Sequence, residues 1–182
     1  TSFAYDNISR IKTVTDALGR LSRYDYDDAT GLVTFTDNVG NRTRTVLDAK
    51  GKPHYTEDAL GNGTWYDYTY GGCSSCGSTG GDLLYSVTDA KGQATFFWYD
   101  ANGRRTTTTD PLGHTTSVAF HPTGDIRYRT DALRRQTAYG YDPLGNLSRI
   151  TDARGGVTWL EYTPGGLADN VVDANGVLTH YG

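Results

Sequence analysis

Cys73 and Cys76 are the only cysteines in the chain, and they stand in Gly71-Gly72-Cys73-Ser74-Ser75-Cys76-Gly77. A CxxC pair can cycle between dithiol and disulfide, supply half of a tetrahedral zinc site, or close a small local disulfide. Redox work normally draws on a helix N-terminus that lowers a thiol pKa, and the surrounding glycines predict no helix. Zinc needs two further ligands, and His54, His114, His121 and His180 are scattered with no ligand spacing. The preferred reading of Cys73 and Cys76 is a disulfide or free pair that stiffens a Gly-rich loop, with metal binding second. A disulfide would fit an extracellular destination.

Acid–base chemistry has weaker candidates. Glu57 and Glu161 are the only glutamates and are far apart, while 19 aspartates recur at regular intervals. General acid–base catalysis requires a carboxylate in a perturbing pocket, and spacing singles out no nucleophile–His–acid set. No catalytic residue and no cofactor is assigned, and the chain is read as non-enzymatic. Calcium would need several oxygen ligands converging, whereas one Asp occurs per turn. Trp65, Phe96, Trp98 and Trp159 fall at strand positions where the pattern does not demand an aromatic. Flat rings beside Asp, Asn and Arg could stack on sugars. The preferred reading is that they pack against a neighbouring layer. Exposed Trp65 and Trp159 would favour binding; burial would favour a wall. Arg104-Arg105 and Arg134-Arg135 read as a solvated face.

The elements that hold these residues follow from composition. The chain has 182 residues, a net charge of -4, 23 glycines, 14 Tyr, 5 Phe, 3 Trp and no Met. Aliphatic residues are sparse, but the aromatics can supply buried area and the low net charge argues against disorder. Asp and Gly favour turns, Thr and Tyr favour strands, and the good helix formers Glu, Lys and Met are scarce or absent. An all-β chain is expected. A pI near 5.4 without a block of like charge rules against nucleic acid as the main partner. No apolar run reaches the roughly 18 residues of a membrane helix. The lack of Met, even at the start, and of a leader reads as an excised or processed piece of something longer.

The sequence repeats. Thr-Asp or its equivalent begins at Thr15, Thr36, Glu57, Thr88, Thr109, Thr130, Thr151 and Val172, a spacing of 21 residues with one ten-residue insertion near 73–82. The whole chain, 1–182, is one array of these units. Gly follows three residues after the Asp in Asp16/Gly19, Asp37/Gly40, Asp58/Gly61, Asp89/Gly92, Asp110/Gly113, Asp152/Gly155 and Asp173/Gly176; after Asp131 the slot holds Arg134. A second signal lies eleven residues on, as in Tyr26-Asp27…Gly31, Tyr99-Asp100…Gly103 and Tyr141-Asp142…Gly145. Asp6, with Ser9 in the Gly slot, is the back half of a truncated unit. Asp-x-x-Gly reads as a turn in which the Asp side chain accepts from amides two and three residues on, while Gly takes positive φ. Pro111, Pro122, Pro143 and Pro164 sit at the second corner, where Pro belongs; Pro53 falls in a strand.

Segments of six or seven residues between turns predict short strands with a period of two. Ser22, Tyr24 and Tyr26 share one face, as do Thr137, Tyr139 and Tyr141. Short turns impose antiparallel order and about sixteen strands. So wide a twisted sheet must curl, so a spiral or barrel-like strip is expected.

Tyr141-Asp142-Pro143-Leu144-Gly145-Asn146-Leu147 running on to Thr151-Asp152 resembles the YD-repeat, or RHS-repeat, family. The resemblance covers nearly the whole chain outside the insertion. It implies β-hairpins built into a hollow spiralling shell that encloses a C-terminal toxin in bacterial proteins, or belongs to an adhesion ectodomain in teneurins. On that basis the chain is expected to be a non-catalytic wall segment of a larger secreted or cell-surface bacterial protein. Its expected partners are the rest of its parent chain and an encapsulated passenger. A glycan-binding or adhesion module is the alternative. Edge strands at the ends make dimerisation plausible. The Asp-Pro-x-Gly element of the family's self-cleaving core resembles Asp110-Pro111-Leu112-Gly113 and Asp142-Pro143-Leu144-Gly145, but both lie in phase as ordinary turns.

Overall fold

A computed structural model describes residues 1–69 and 82–181. These residues form seventeen β-strands and no helix, joined by short turns. The insertion with Cys73 and Cys76 lies outside the described residues. The chain divides into two compact units, with the break between Phe96 and Phe97.

The first unit carries β1 (Ser2–Tyr5), β2 (Ile11–Thr15), β3 (Leu21–Asp27), β4 (Leu32–Thr36), β5 (Arg42–Leu47), β6 (Pro53–Glu57), β7 (Gly63–Thr69) and β8 (Leu83–Thr88). Strand β9 (Ala94–Tyr99) has residues in both units. The second unit carries β10 (Arg105–Thr109), β11 (Thr115–Phe120), β12 (Ile126–Thr130), β13 (Gln136–Tyr141), β14 (Leu147–Thr151), β15 (Val157–Tyr162), β16 (Ala168–Val172) and β17 (Leu178–His180). Within each unit, every strand pairs antiparallel with its sequence neighbour, as in β2–β3, β3–β4, β11–β12 and β12–β13. This is the meander that turns of three or four residues enforce.

The first turn of each repeat closes in the same way. At Asp16 the amide donates to the Arg20 carbonyl at 3.0 Å, and the Gly19 amide returns to the Asp16 carbonyl at 3.1 Å. Gly19 has φ +79° and Gly145 has φ +89°, the left-handed conformation in which Gly carries no Cβ penalty. The carboxylate caps amides two and four residues on, not two and three: Asp16 Oδ1 accepts from Leu18 N at 2.8 Å and Arg20 N at 3.0 Å. The amide three residues on is the one that closes the backbone turn, so it is already engaged.

In two of the glycine slots another residue takes the positive φ: Ser9 at 67° and Arg134 at 60°. A side chain there costs about 1 kcal/mol. Arg134→Gly is therefore expected to raise the thermal midpoint, gaining about 1 kcal/mol less the added freedom of the unfolded chain. Thermal unfolding of the variant beside the native chain measures it, and an unchanged or lower midpoint contradicts the strain.

Most second-turn hairpins carry a β-bulge. In β13–β14 the register shifts between Gly140 and Tyr141, leaving Ser148 without a partner; its hydroxyl donates to the Gly140 carbonyl at 3.3 Å. The same shift occurs in β5–β6, β7–β8, β11–β12 and β15–β16. The β3–β4 hairpin instead keeps continuous register. There Gly31 stands four residues after Asp27, not three, so the extra residue sits in the turn rather than in the strand. The repeat length is unchanged by the exchange.

Burial alternates as the period predicts. In β3, Ser22, Tyr24 and Tyr26 are half-buried while Leu21, Arg23, Asp25 and Asp27 are exposed. The Tyr24 ring lies 4.9 Å from Phe35, its cross-strand partner. Among the described residues no large side chain is fully buried. Stability therefore rests on ladder hydrogen bonds and one half-covered face.

Candidate functional site

For a chain built this way, the recurring contacts that tie one repeat to the next are the functional geometry. The tyrosine that precedes the second turn is the first of them. Tyr26 donates its hydroxyl to the Ile11 carbonyl at 2.8 Å, Tyr141 to Ile126 at 3.0 Å and Tyr162 to Leu147 at 2.9 Å. In each case the acceptor is fifteen residues earlier and opens the return strand of the preceding hairpin. The bond ties a side chain of one repeat to the backbone of the last. Burial pushes the Tyr26 and Tyr141 hydroxyls above their usual pKa, so they remain donors at neutral pH. Tyr141→Phe keeps the ring and deletes this bond; it is expected to cost about 1 kcal/mol in urea unfolding. No change in the urea midpoint would remove the bond from the account.

The residue just after the second turn supplies the next contact. The Arg10 guanidinium stands 4.1 Å from the Tyr26 ring centre, Lys52 Nζ 4.9 Å from Tyr68 and the Arg104 guanidinium 4.4 Å from Phe120. Each cation is sixteen residues before its ring. Arg10 also bonds its own turn carboxylate, Asp6, at 2.8 Å and Asp28 of the following second turn, between β3 and β4, at 2.5 Å. These two carboxylates, Asp28 first, raise the Arg10 pKa further above its ordinary value.

The same slot completes the carboxylate caps. Oδ2 of the turn Asp accepts from Arg20, Asn41, Asn62, Arg104, Arg135 or Asn146, four residues on. Spacing showed the Asp and Gly of the turns; it passed over this partner, although Arg or Asn in the residue after the glycine was the signal. The caps hold the carboxyls below their ordinary pKa: the Arg20 amide and guanidinium do so for Asp16, and the Asn146 side-chain amide leads at Asp142.

A third feature also escaped the sequence reading. The turn tips carry Leu18, Val39 and Leu60 in the first unit and Leu112 and Leu133 in the second, each between 72% and 88% exposed. All five occupy the third corner of a first turn. In each unit these turns lie at one end of the strands, because alternate connections of a meander share an end. Lys91, Arg154 and Asn175 hold this corner in the other three first turns, so the rim at that end is apolar at five of its eight tips.

Trp65 and Trp159 are 42% and 50% exposed. Trp65 packs its ring 5.0 Å from Tyr55, over Gly63. Phe96 is half-buried with its ring 5.6 Å from Tyr85, and Trp98 is half-buried in β9. The turn residues Asp37, Asp58, Asp89, Asp110, Asp131, Asp152 and Asp173 each accept from backbone amides two and four residues on. Gly40, Gly61, Gly92, Gly113, Gly155 and Gly176 all have positive φ. His114 serves as the cap partner of Asp110 at 2.9 Å, and His121 stands edge-on to Tyr141. Among the described residues no three His, Cys, Asp or Glu side chains converge to hold a metal. Among the described residues no helix is long and apolar enough to cross a membrane.

No curated protein matches the chain. Among solved structures, it is similar to the TcdB2-TccC3 crystal structure, with TM-score 0.48 and 16% identity over 99% of this chain and 14% of that one. It is also similar to TcdB2-TccC3 without its hypervariable C-terminal region, with TM-score 0.46 and 17% identity over 99% and 13% of the two chains. The same values hold for the Tc holotoxin pore of Photorhabdus luminescens. The chain thus spans about an eighth of the length of these structures. The RHS Repeat family profile matches residues 81–116 and 120–157. Over those two stretches the chain is built of RHS repeats, the family its turn-and-strand pattern resembles throughout.

Proposed function

We propose that this structural repeat segment is a length of wall in a larger hollow β-shell that encloses a passenger polypeptide, within a secreted or cell-surface bacterial protein. Its role is containment, without catalysis. The observation that carries this reading is the apolar rim. Leu18, Val39 and Leu60, like Leu112 and Leu133, project from turn tips with nothing over them. Exposed apolar rows mark surfaces meant to be covered. A neighbouring layer of the same shell is the partner for such a rim, while the tyrosine and arginine contacts join repeat to repeat along the strip.

The test uses the parent chain. Leu18, Leu60, Leu112 and Leu133 are replaced together by Asp, and protease digestion of the passenger is timed. The expected result is slow digestion in the native parent and fast digestion in the variant, with this segment's own thermal unfolding unchanged. Equal digestion rates for native and variant parent would overturn the rim's role. A native passenger cut as fast as the free polypeptide would overturn the wall.

A second reading, a glycan-binding module, is favoured by the exposure of Trp65 and Trp159. Ring faces open to solvent can stack on sugars, which buried ones cannot.

A further inference from the structure

Trp65 and Trp159 hold the same place in their repeats, and each pairs across the strands with a residue ten positions earlier. At Trp159 that partner is Arg149, whose guanidinium stands 5.8 Å from the ring centre. At Trp65 it is Tyr55, with the ring centres 5.0 Å apart. Rings at Tyr26, Tyr68, Phe97, Phe120, Tyr128 and Trp159 each carry a Lys or Arg of this chain. Among the described residues no cation stands over Trp65.

The surroundings of Trp65 are braced. Tyr55 donates its hydroxyl to Glu57 Oε2 at 3.0 Å, and Arg44 bonds Glu57 Oε1 at 2.6 Å, so that carboxylate is engaged at both oxygens. Asp67 is different. It lies two residues on from Trp65, on the same face of β7, and is exposed. The Ser86 hydroxyl, in a residue only 3% exposed, donates to Asp67 Oδ2 at 2.7 Å. Among the described residues nothing donates to Oδ1, and no Lys or Arg comes within ion-pair distance of it. A buried hydroxyl thus aims this carboxylate while its charge goes uncompensated. Across β8 and β9 the row that holds Trp65 continues with Thr88 and Ala94, short side chains that leave that flank of the ring open. Trp65 keeps 42% of its surface exposed.

An open indole beside a positioned carboxylate is the chemistry that holds a planar cation. A guanidinium satisfies both groups: its plane stacks on the ring and its edge donates N–H to the carboxylate. The chain's net charge of -4 attracts the same class of partner. We propose that Trp65 and Asp67 form a docking point for an arginine side chain of a partner polypeptide. The guanidinium lies on Trp65, as that of Arg149 lies by Trp159, and donates to Asp67 Oδ1. The inference goes beyond the containment reading and stands without it.

The isotope-labelled chain is titrated with acetylated, amidated tetra-arginine, and with cellotetraose as a neutral sugar. Nuclear magnetic resonance follows the indole N–H signals of Trp65 and Trp159 and the backbone amide of Asp67. The titration is repeated with Asp67→Asn and Trp65→Ala, each checked for folding by circular dichroism; Asp67 is exposed, so its variant keeps the fold. The expected result is a saturable movement of the Trp65 signal by tetra-arginine, with the Trp159 signal, already beside Arg149, unmoved. Affinity should fall about threefold in Asp67→Asn and weaken with salt. It should fall about fivefold in Trp65→Ala, read at the Asp67 amide. A Trp65 signal that stays still, or moves no more than that of Trp159, would overturn the docking point. Affinity unchanged in both variants would overturn it as well. Movement with cellotetraose and not with tetra-arginine would give the ring to a sugar and overturn the cation. None of these outcomes touches the containment reading, which the digestion of the passenger decides.

Discussion

Gly31→Ala is expected to destabilise the fold by about 3 kcal/mol, while the same change at Gly145 costs about 1–2 kcal/mol. Both glycines have positive φ, +70° and +89°, so both substitutions strain the backbone. They differ in surroundings. A Cβ at Gly145 meets nothing within 4 Å, whereas one at Gly31 would lie 2.5 Å from the Leu47 carbonyl oxygen. That oxygen is backbone and belongs to the end of β5. The Leu47 amide also donates to the Gly31 carbonyl at 2.9 Å, so the contact cannot open without losing a hydrogen bond. The origin is the displaced glycine of this turn: with the extra residue in the loop instead of a bulge, the loop folds down onto the next strand. Urea unfolding of the two variants measures the difference. Equal shifts would mean that the Gly31–Leu47 approach contributes nothing.

Acid is expected to unfold the protein sharply below about pH 4. The capping carboxyls of Asp6, Asp16, Asp37, Asp58, Asp131, Asp142 and Asp173 are all held below their ordinary pKa. Backbone amides hold them there, joined by the Arg or Asn four residues on at all but Asp173, whose side-chain partner is Asn175. A carboxyl whose folded pKa lies below its unfolded value adds stability that is fully present above the unfolded value, near 3.9. That stability is lost as pH falls through the folded pKa. The thermal midpoint should therefore stay flat from neutrality down to about pH 5, then fall steeply. Because the caps repeat along the chain, their losses fall in one narrow pH window. Thermal melts across that range, repeated at high salt, check the prediction. A midpoint unchanged at pH 3 would contradict capping by carboxylates. The hairpin at Thr163 offers an internal contrast: Leu167 N donates there to a hydroxyl at 3.2 Å, which does not titrate.

Much of this architecture was legible because its chemistry is local. Asp16 and Gly19 lie within one turn, and Ser22, Tyr24 and Tyr26 declare their face by a period of two. What stayed hidden depends on neighbours distant in sequence. Spacing alone does not show that the Tyr141 hydroxyl reaches Ile126, or that Arg10 covers Tyr26, because both contacts cross a whole hairpin. The bulge at Gly140 and its absence at Asp27 turn on one residue of register, which period-two arithmetic tolerates. The amide four residues on, rather than three, follows only when the backbone bond of Gly19 is counted. The exposure of Trp65, Trp159 and the turn-tip leucines depends on what lies above each face, and a strand pattern does not carry that.

The most direct test of the wall reading is a cryo-electron microscopy map of the intact parent chain. The expected map shows hairpins of 21-residue period wound into a closed layer, the rim of Leu18 and Leu60 packed beneath the next layer, and passenger density inside. An open strip with a solvated rim and no enclosed chain would contradict it.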